Sequence, residues 1–107
     1  VDGLSLPPAD LEQAQDVYHM FVIRLADHDR RQSLARHLKE QGIETGIHYP
    51  VPNHQQPAVE QRFGRQDALP RTEQYVKRIL SLPMYPMLEE PQVRYVADQI
   101  KAHLARR

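Results

Sequence analysis

Residues 17–25 read VYHMFVIRL, apolar or aromatic at every position except His19 and Arg24. Val17, Val22 and Ile23 are β-branched, which suits extended backbone. The run is nearly continuous in apolar residues, so it predicts a strand over 17–25 buried on both faces. Side chains alternate across a strand, which puts His19 and Arg24 on opposite faces. In such a setting His19 is a satisfied core histidine or a packing contact. Arg24 is expected to end the strand and pair with an acid.

Working outward from that strand, ADHDRRQSLARHLKEQG (26–42) predicts a helix. Asp27 or Asp29 can cap its start, and Gly42 can end it in the left-handed conformation. Leu34 and Leu38 form its inner stripe, extended by Ala35 and the stem of Arg31. IETGIHY (43–49) alternates Ile43, Thr45 and Ile47 with polar neighbours and predicts a second strand, with Gly46 weakening it or letting another group approach closely. Pro50 and Pro52 end it. PAVEQRFG (57–64) predicts a short helix, and RTEQYVKRILS (71–81) a longer one with Thr72 as its cap and Val76, Ile79 and Leu80 inward. A short edge strand is expected around Leu80–Leu82, before Pro83 and Pro86.

The last helix is the clearest, over EPQVRYVADQIKAHLARR (90–107), with Pro91 at its first position. Val93, Val96, Ala97, Ile100 and Leu104 make its apolar stripe, and Lys101, Arg106 and Arg107 suit the negative end of its dipole. Residues 1–16 form a lead-in segment, with Pro7–Pro8 and a short helical turn expected from Asp10. The order of elements implies a two-layer α/β (α+β) domain over 17–107. Its small three-stranded sheet is mostly antiparallel, with helices packed on one face. The other sheet face would need cover of its own.

Composition limits the function classes. The chain has 107 residues, enough for one domain with a modest core, and its formal net charge is zero. Residues 1–16 hold four acids and no Lys or Arg, which leaves the remainder at +4. That is compatible with an anionic small molecule and far from a nucleic-acid stripe. No apolar stretch approaches the roughly 18 residues that span a bilayer. There is no cysteine, so disulfides, thiolate metal sites and a cysteine nucleophile are excluded, and a cytoplasmic setting fits. Val1 rather than Met opens the chain, from which we expect a piece of something longer.

Chemistry-bearing residues concentrate in GIETGIHYPVPNHQQPA (42–58). His48 and His54 are too loosely spaced to argue for a metal site. None of Ser5, Ser33 and Ser81 sits in a nucleophile elbow, and four glycines build no phosphate loop. Lys39, Lys77 and Lys101 all fall on exposed helix positions, unlike a desolvated Schiff-base lysine. His48–Tyr49 stands out as a unit, because it ends a strand beside two prolines, where sites are commonly assembled.

Three segments together, VYHMFVIRL (17–25), LKEQGIETGIHYPVPNHQQPA (38–58) and ILSLPMYPML (79–88), resemble the C-terminal small domain of the DegT/StrS-type sugar aminotransferases. The resemblance covers about residues 16–104. It implies a fold-type I enzyme that uses pyridoxal phosphate (PLP) to aminate keto-sugar nucleotides, as in polysaccharide, lipopolysaccharide and antibiotic-sugar synthesis. It further implies a homodimer, an amino donor such as glutamate, and a preceding PLP-binding domain absent from these residues. By that match His48 and Tyr49 face the substrate, with His54 and Gln56 as secondary contacts, and His19 packs at the domain junction. No catalytic, cofactor-binding or metal-binding residue is expected in this stretch, which alone should hold no PLP. The sequence departs from the family at Val59, where Tyr or Phe commonly follows QPA, and at Glu90–Pro91, where a Thr or Ser cap is usual. A free-standing, non-catalytic α/β module derived from the same domain is the alternative.

Overall fold

A computed structural model describes residues 2–106 of the chain. Three strands, β1 (Leu4–Ser5), β2 (Phe21–Leu25) and β3 (Ile79–Leu82), form an antiparallel sheet in the order β1-β2-β3. The helices are α1 (His28–Glu40), α2 (Pro57–Phe63), α3 (Pro70–Val76) and α4 (Glu90–Ala105), with a 3-10 turn at Asn53–Gln55. Leu34 and Leu38 of α1 and Ile100 and Leu104 of α4 pack against Ile23, Leu25 and Leu80 of the sheet, and Ile43 completes the core. The expected two-layer arrangement is therefore present, with α1 and α4 on one face of a three-stranded sheet.

The sheet register separates its two faces. Phe21 lies opposite Leu82 and Ile23 opposite Leu80, and these point to the helices. Val22 lies opposite Ser81 and Arg24 opposite Ile79, so these four belong to the other face. Strand β2 is thus buried on one face and half-buried on the other, not buried on both.

The strand is also shorter than VYHMFVIRL suggested. Asp16 Oδ1 accepts from the Tyr18 backbone N–H at 3.0 Å, and Asp10 Oδ1 accepts from Asp16 N–H at 3.1 Å and from the Tyr18 hydroxyl at 3.0 Å. These aspartates hold the backbone in turns and compete with strand pairing. Tyr18 sits in the left-handed region at φ 47°, so the chain changes direction there and β2 begins only at Phe21. Val17 and His19 are exposed, so His19 is not a core residue of the sheet. The helical turn expected at Asp10 is instead a tight turn in which Leu11 and Ala14 exchange backbone hydrogen bonds.

The second expected strand, 43–49, is reduced to one bridge. Gly46 and Ser81 exchange hydrogen bonds of 3.1 and 2.7 Å at the free edge of β3. The third strand comes instead from the lead-in segment, where Leu4 pairs with Leu25 and Ser5 with Arg24.

Helix ends follow local chemistry. Asp27 caps α1, accepting from Arg30 N–H at 2.8 Å, and Gly42 takes φ 75° just past its end. Arg31 lies buried along the inner stripe, and burial lowers its pKa from the ordinary arginine value. Helix α3 starts at Pro70, so Thr72 is not its cap. The Glu73 carboxylate reaches back to accept from Leu69 N–H at 2.9 Å, and Ile79 and Leu80 have already passed into β3. Helix α4 begins after Glu89, whose N–H donates to Gln92 Oε1 at 2.9 Å, which puts Pro91 at the second helical position. Arg107 lies outside the described residues. No helix among the described residues is long and apolar enough to cross a membrane.

Candidate functional site

The second face of the sheet is covered by the stretch that follows the Gly46 bridge. His48 Nδ1 and Ser81 Oγ are hydrogen-bonded at 2.8 Å, so the imidazole lies over a serine that is only 6% exposed. The close fit depends on Gly46. A Cβ at that position would stand 2.9 Å from His48 Cε1, inside normal contact distance. Tyr49 meets the His48 ring edge-on, with centroids 5.3 Å apart, and is 65% exposed.

This geometry uses one imidazole nitrogen to fix the ring. His48 Nε2 and the Tyr49 hydroxyl make no hydrogen bond among the described residues, and both residues are exposed. Groups held this way can donate to or accept from an oxygen-rich ligand without first leaving an internal partner. Two strand positions further along the same face, the Arg24 guanidinium lies over the Tyr75 ring at 4.5 Å from its centroid. Arg24 does not pair with an acid, contrary to the sequence expectation; among the described residues no carboxylate lies within ion-pair distance of it.

The other two candidates each engage one side-chain nitrogen within the chain. His54 Nε2 and Glu73 Oε1 are 2.9 Å apart, tying the 3-10 turn to α3. That contact, with the Leu69 N–H second, holds the Glu73 carboxyl below the usual carboxylate range. Gln56 Nε2 donates to the Val51 carbonyl at 3.0 Å and closes its own loop. The structure therefore brings His48 and Tyr49 together as presented groups, while His54 and Gln56 brace the segment behind them. Among the described residues no three His, Asp or Glu side chains converge as a metal site requires.

Sequence reasoning missed three contributors. Ser81 entered as a rejected nucleophile within the edge strand, Gly46 as a weak point or a site of close approach with no partner named, and Tyr75 only as part of the 71–81 helix. The signal for the first two was present: a glycine two residues before the histidine leaves room for a ring that folds back.

Residues 1–101 match the sequence profile of the DegT/DnrJ/EryC1/StrS aminotransferase family. A dTDP-3-amino-3,4,6-trideoxy-alpha-D-glucose transaminase of Streptomyces venezuelae is 38% identical over 99 residues, covering 92% of this chain and 25% of that enzyme. A protein named pleiotropic regulatory protein, from Geobacillus stearothermophilus, is 38% identical over 100 residues, covering 94% of this chain and 26% of that relative. The crystal structure of DesV from S. venezuelae superposes with a TM-score of 0.82 at 38% identity, covering 98% of this chain and 27% of DesV. The chain thus spans about a quarter of the length of the relatives it matches. On the match across nearly all of its residues, the chain belongs to the DegT/DnrJ/EryC1/StrS aminotransferase family.

Proposed function

We propose that this chain is the C-terminal small domain of a PLP-dependent aminotransferase acting on a keto-sugar nucleotide, with the His48–Tyr49 face of its sheet turned to that substrate. The observation that carries the reading is the His48 arrangement: Nδ1 is held on Ser81 while Nε2 and the Tyr49 hydroxyl stay unengaged and outward. A ring locked in this way suits hydrogen bonding to a sugar hydroxyl or phosphate oxygen, and the Tyr49 ring face suits stacking. The Streptomyces relative, named as a dTDP-amino-sugar transaminase, supports the substrate class. His54 and Gln56 are assigned to the same loop as secondary contributors that hold its shape.

This chain's residues do not fit a PLP site of their own. Lys39, Lys77 and Lys101 are all exposed, and Lys101 Nζ lies 4.0 Å from Asp98. None has the desolvated setting that favours a Schiff base. We therefore assign the cofactor, which supplies the electron sink for amino transfer, to a preceding domain outside these residues. Residues 17–107 form the small domain and 1–16 lead into it, contributing β1. Leu6, Leu11, Val17 and Met87, each at least 64% exposed, support packing against further protein. The amino donor assigned is glutamate, the assembly a homodimer and the compartment the cytoplasm.

The test is amino transfer from glutamate to dTDP- and UDP-linked keto sugars by the longer PLP-loaded protein. Formation of an amino-sugar nucleotide supports the reading. A folded, PLP-loaded protein that transfers to neither class refutes it. The name of the Geobacillus relative favours a second reading, a non-catalytic regulatory module, which that negative result would support.

A further inference from the structure

We propose that Arg24 is an oxyanion-recognition residue, whose guanidinium takes a carboxylate or phosphate group of the small molecule lying on the His48 face of the sheet. Arginine carries five N–H donors and no acceptor. None of those of Arg24 meets an acceptor among the described residues, and its Nε is withdrawn from solvent with no hydrogen-bond partner. Arg31 Nε is likewise unpartnered, but Arg31 lies along the inner stripe of α1 and its Nη1 donates to the Val76 carbonyl at 3.4 Å, whereas no nitrogen of Arg24 has a partner among the described residues. Arg78, beside Arg24 in the fold, spends its Nε on the Leu25 carbonyl at 2.8 Å.

The setting also pre-organises the group. The contact with the Tyr75 ring, 4.5 Å from its centroid, restrains the guanidinium. A fixed planar fork matches the paired oxygens of a carboxylate or phosphate, which a lysine ammonium does not. Strand register puts Arg24 on the same face as Ser81, the serine that holds His48. One ligand can therefore meet the histidine with its hydroxyls and the arginine with its anion.

The inference rests on the proposed function only for its choice of sheet face, and its test is independent of catalysis. The Arg24 Nε–H resonance of the full 107-residue chain is followed by nitrogen-15 NMR during titration with inorganic pyrophosphate and, separately, with glutarate. A saturable shift at Arg24 with a millimolar-range midpoint is expected with one of them. Pyrophosphate as the stronger ligand identifies the phosphates of a nucleotide as the source; glutarate identifies the carboxylate of an amino donor. Arg24→Lys, which keeps stem and charge, should weaken binding at least about tenfold, while Arg62→Lys should leave it unchanged. No saturable shift with either anion overturns the proposal, as does equal response of all exposed arginines or full affinity in Arg24→Lys. A protein carboxylate seated on Arg24 in the longer protein overturns it as well. Anion binding at Arg24 in a protein that transfers no amino group would keep this inference and lose the aminotransferase reading.

Discussion

Replacing Gly46 with alanine separates the position of His48 from the stability of the fold. Gly46 does not have a positive φ, so the backbone accepts alanine, and both of its hydrogen bonds to the Ser81 backbone survive. The new methyl would stand 2.9 Å from His48 Cε1. Because that atom is the tip of a side chain, the ring yields and the backbone stays. The cost is the bond to Ser81, about 0.5–1.5 kcal/mol net for an ordinary hydrogen bond. Against it, alanine restricts the unfolded chain and returns about 0.4–1 kcal/mol. The two nearly cancel, leaving a net destabilisation of about 1 kcal/mol at most. For a domain of this size that is a fall in Tm of no more than about 8 °C.

The assay is a double-mutant cycle of Gly46→Ala with Ser81→Ala, read by urea melts, together with the nuclear Overhauser contact between the His48 ring and the Ser81 side chain. The contact should vanish in Gly46→Ala. The cycle should give a coupling of about 0.5–1.5 kcal/mol, because either change removes the same bond. A retained contact with purely additive energies would refute the packing argument.

The remaining expectations concern the scaffold. Leu80→Ala empties a fully packed position at the centre of the core and should cost about 2–5 kcal/mol, a large part of the roughly 5–15 kcal/mol typical of a domain; circular dichroism melts measure it. Glu73 is held below its ordinary pKa chiefly by His54, so its contribution is present above the ordinary glutamate value, about 4.3, and is lost as pH falls through the lower folded value. Glu73→Gln should remove that acid-side slope from a series of melts, and an unchanged slope would show that the pairing is idle. The Tyr18 hydroxyl donates to Asp10, which raises its pKa above the ordinary tyrosine value. Asp10→Asn should bring the phenol back towards that value in an ultraviolet titration, whereas an unmoved titration would contradict the contact.

What the sequence made legible follows the range of the interactions. Helices α1 and α4 carry their periodic stripes, Asp27 cap and Gly42 stop within a few residues, so they were readable. Strand β1 was not, because two residues have no period, and only pairing with Leu25 and Arg24 makes them a strand. The early part of VYHMFVIRL looked extended but is held by Asp10 and Asp16, side-chain capture that an apolar count overlooks. At the candidate site, His48 and Tyr49 were singled out by their position before two prolines. Their anchor Ser81 lies 33 residues away, and Arg24 meets Tyr75 only through the turn of α3 into β3. Contacts of that span are properties of the fold and leave no local mark.

The central claim, that the His48–Tyr49 face serves a sugar nucleotide, is tested most directly by steady-state kinetics of His48→Ala and Tyr49→Phe in the longer PLP-loaded protein. Losing one hydrogen bond to a charged group costs about 1.5–3 kcal/mol, or roughly ten- to a hundredfold in binding. The account therefore expects kcat/KM for the keto-sugar nucleotide to fall by about that factor in each variant, with the domain still folded, its Tm little changed in Tyr49→Phe and lowered in His48→Ala by the loss of the Ser81 bond, about 0.5–1.5 kcal/mol. Unaltered kinetics combined with a domain that unfolds would contradict it, and would make the two residues part of the packing.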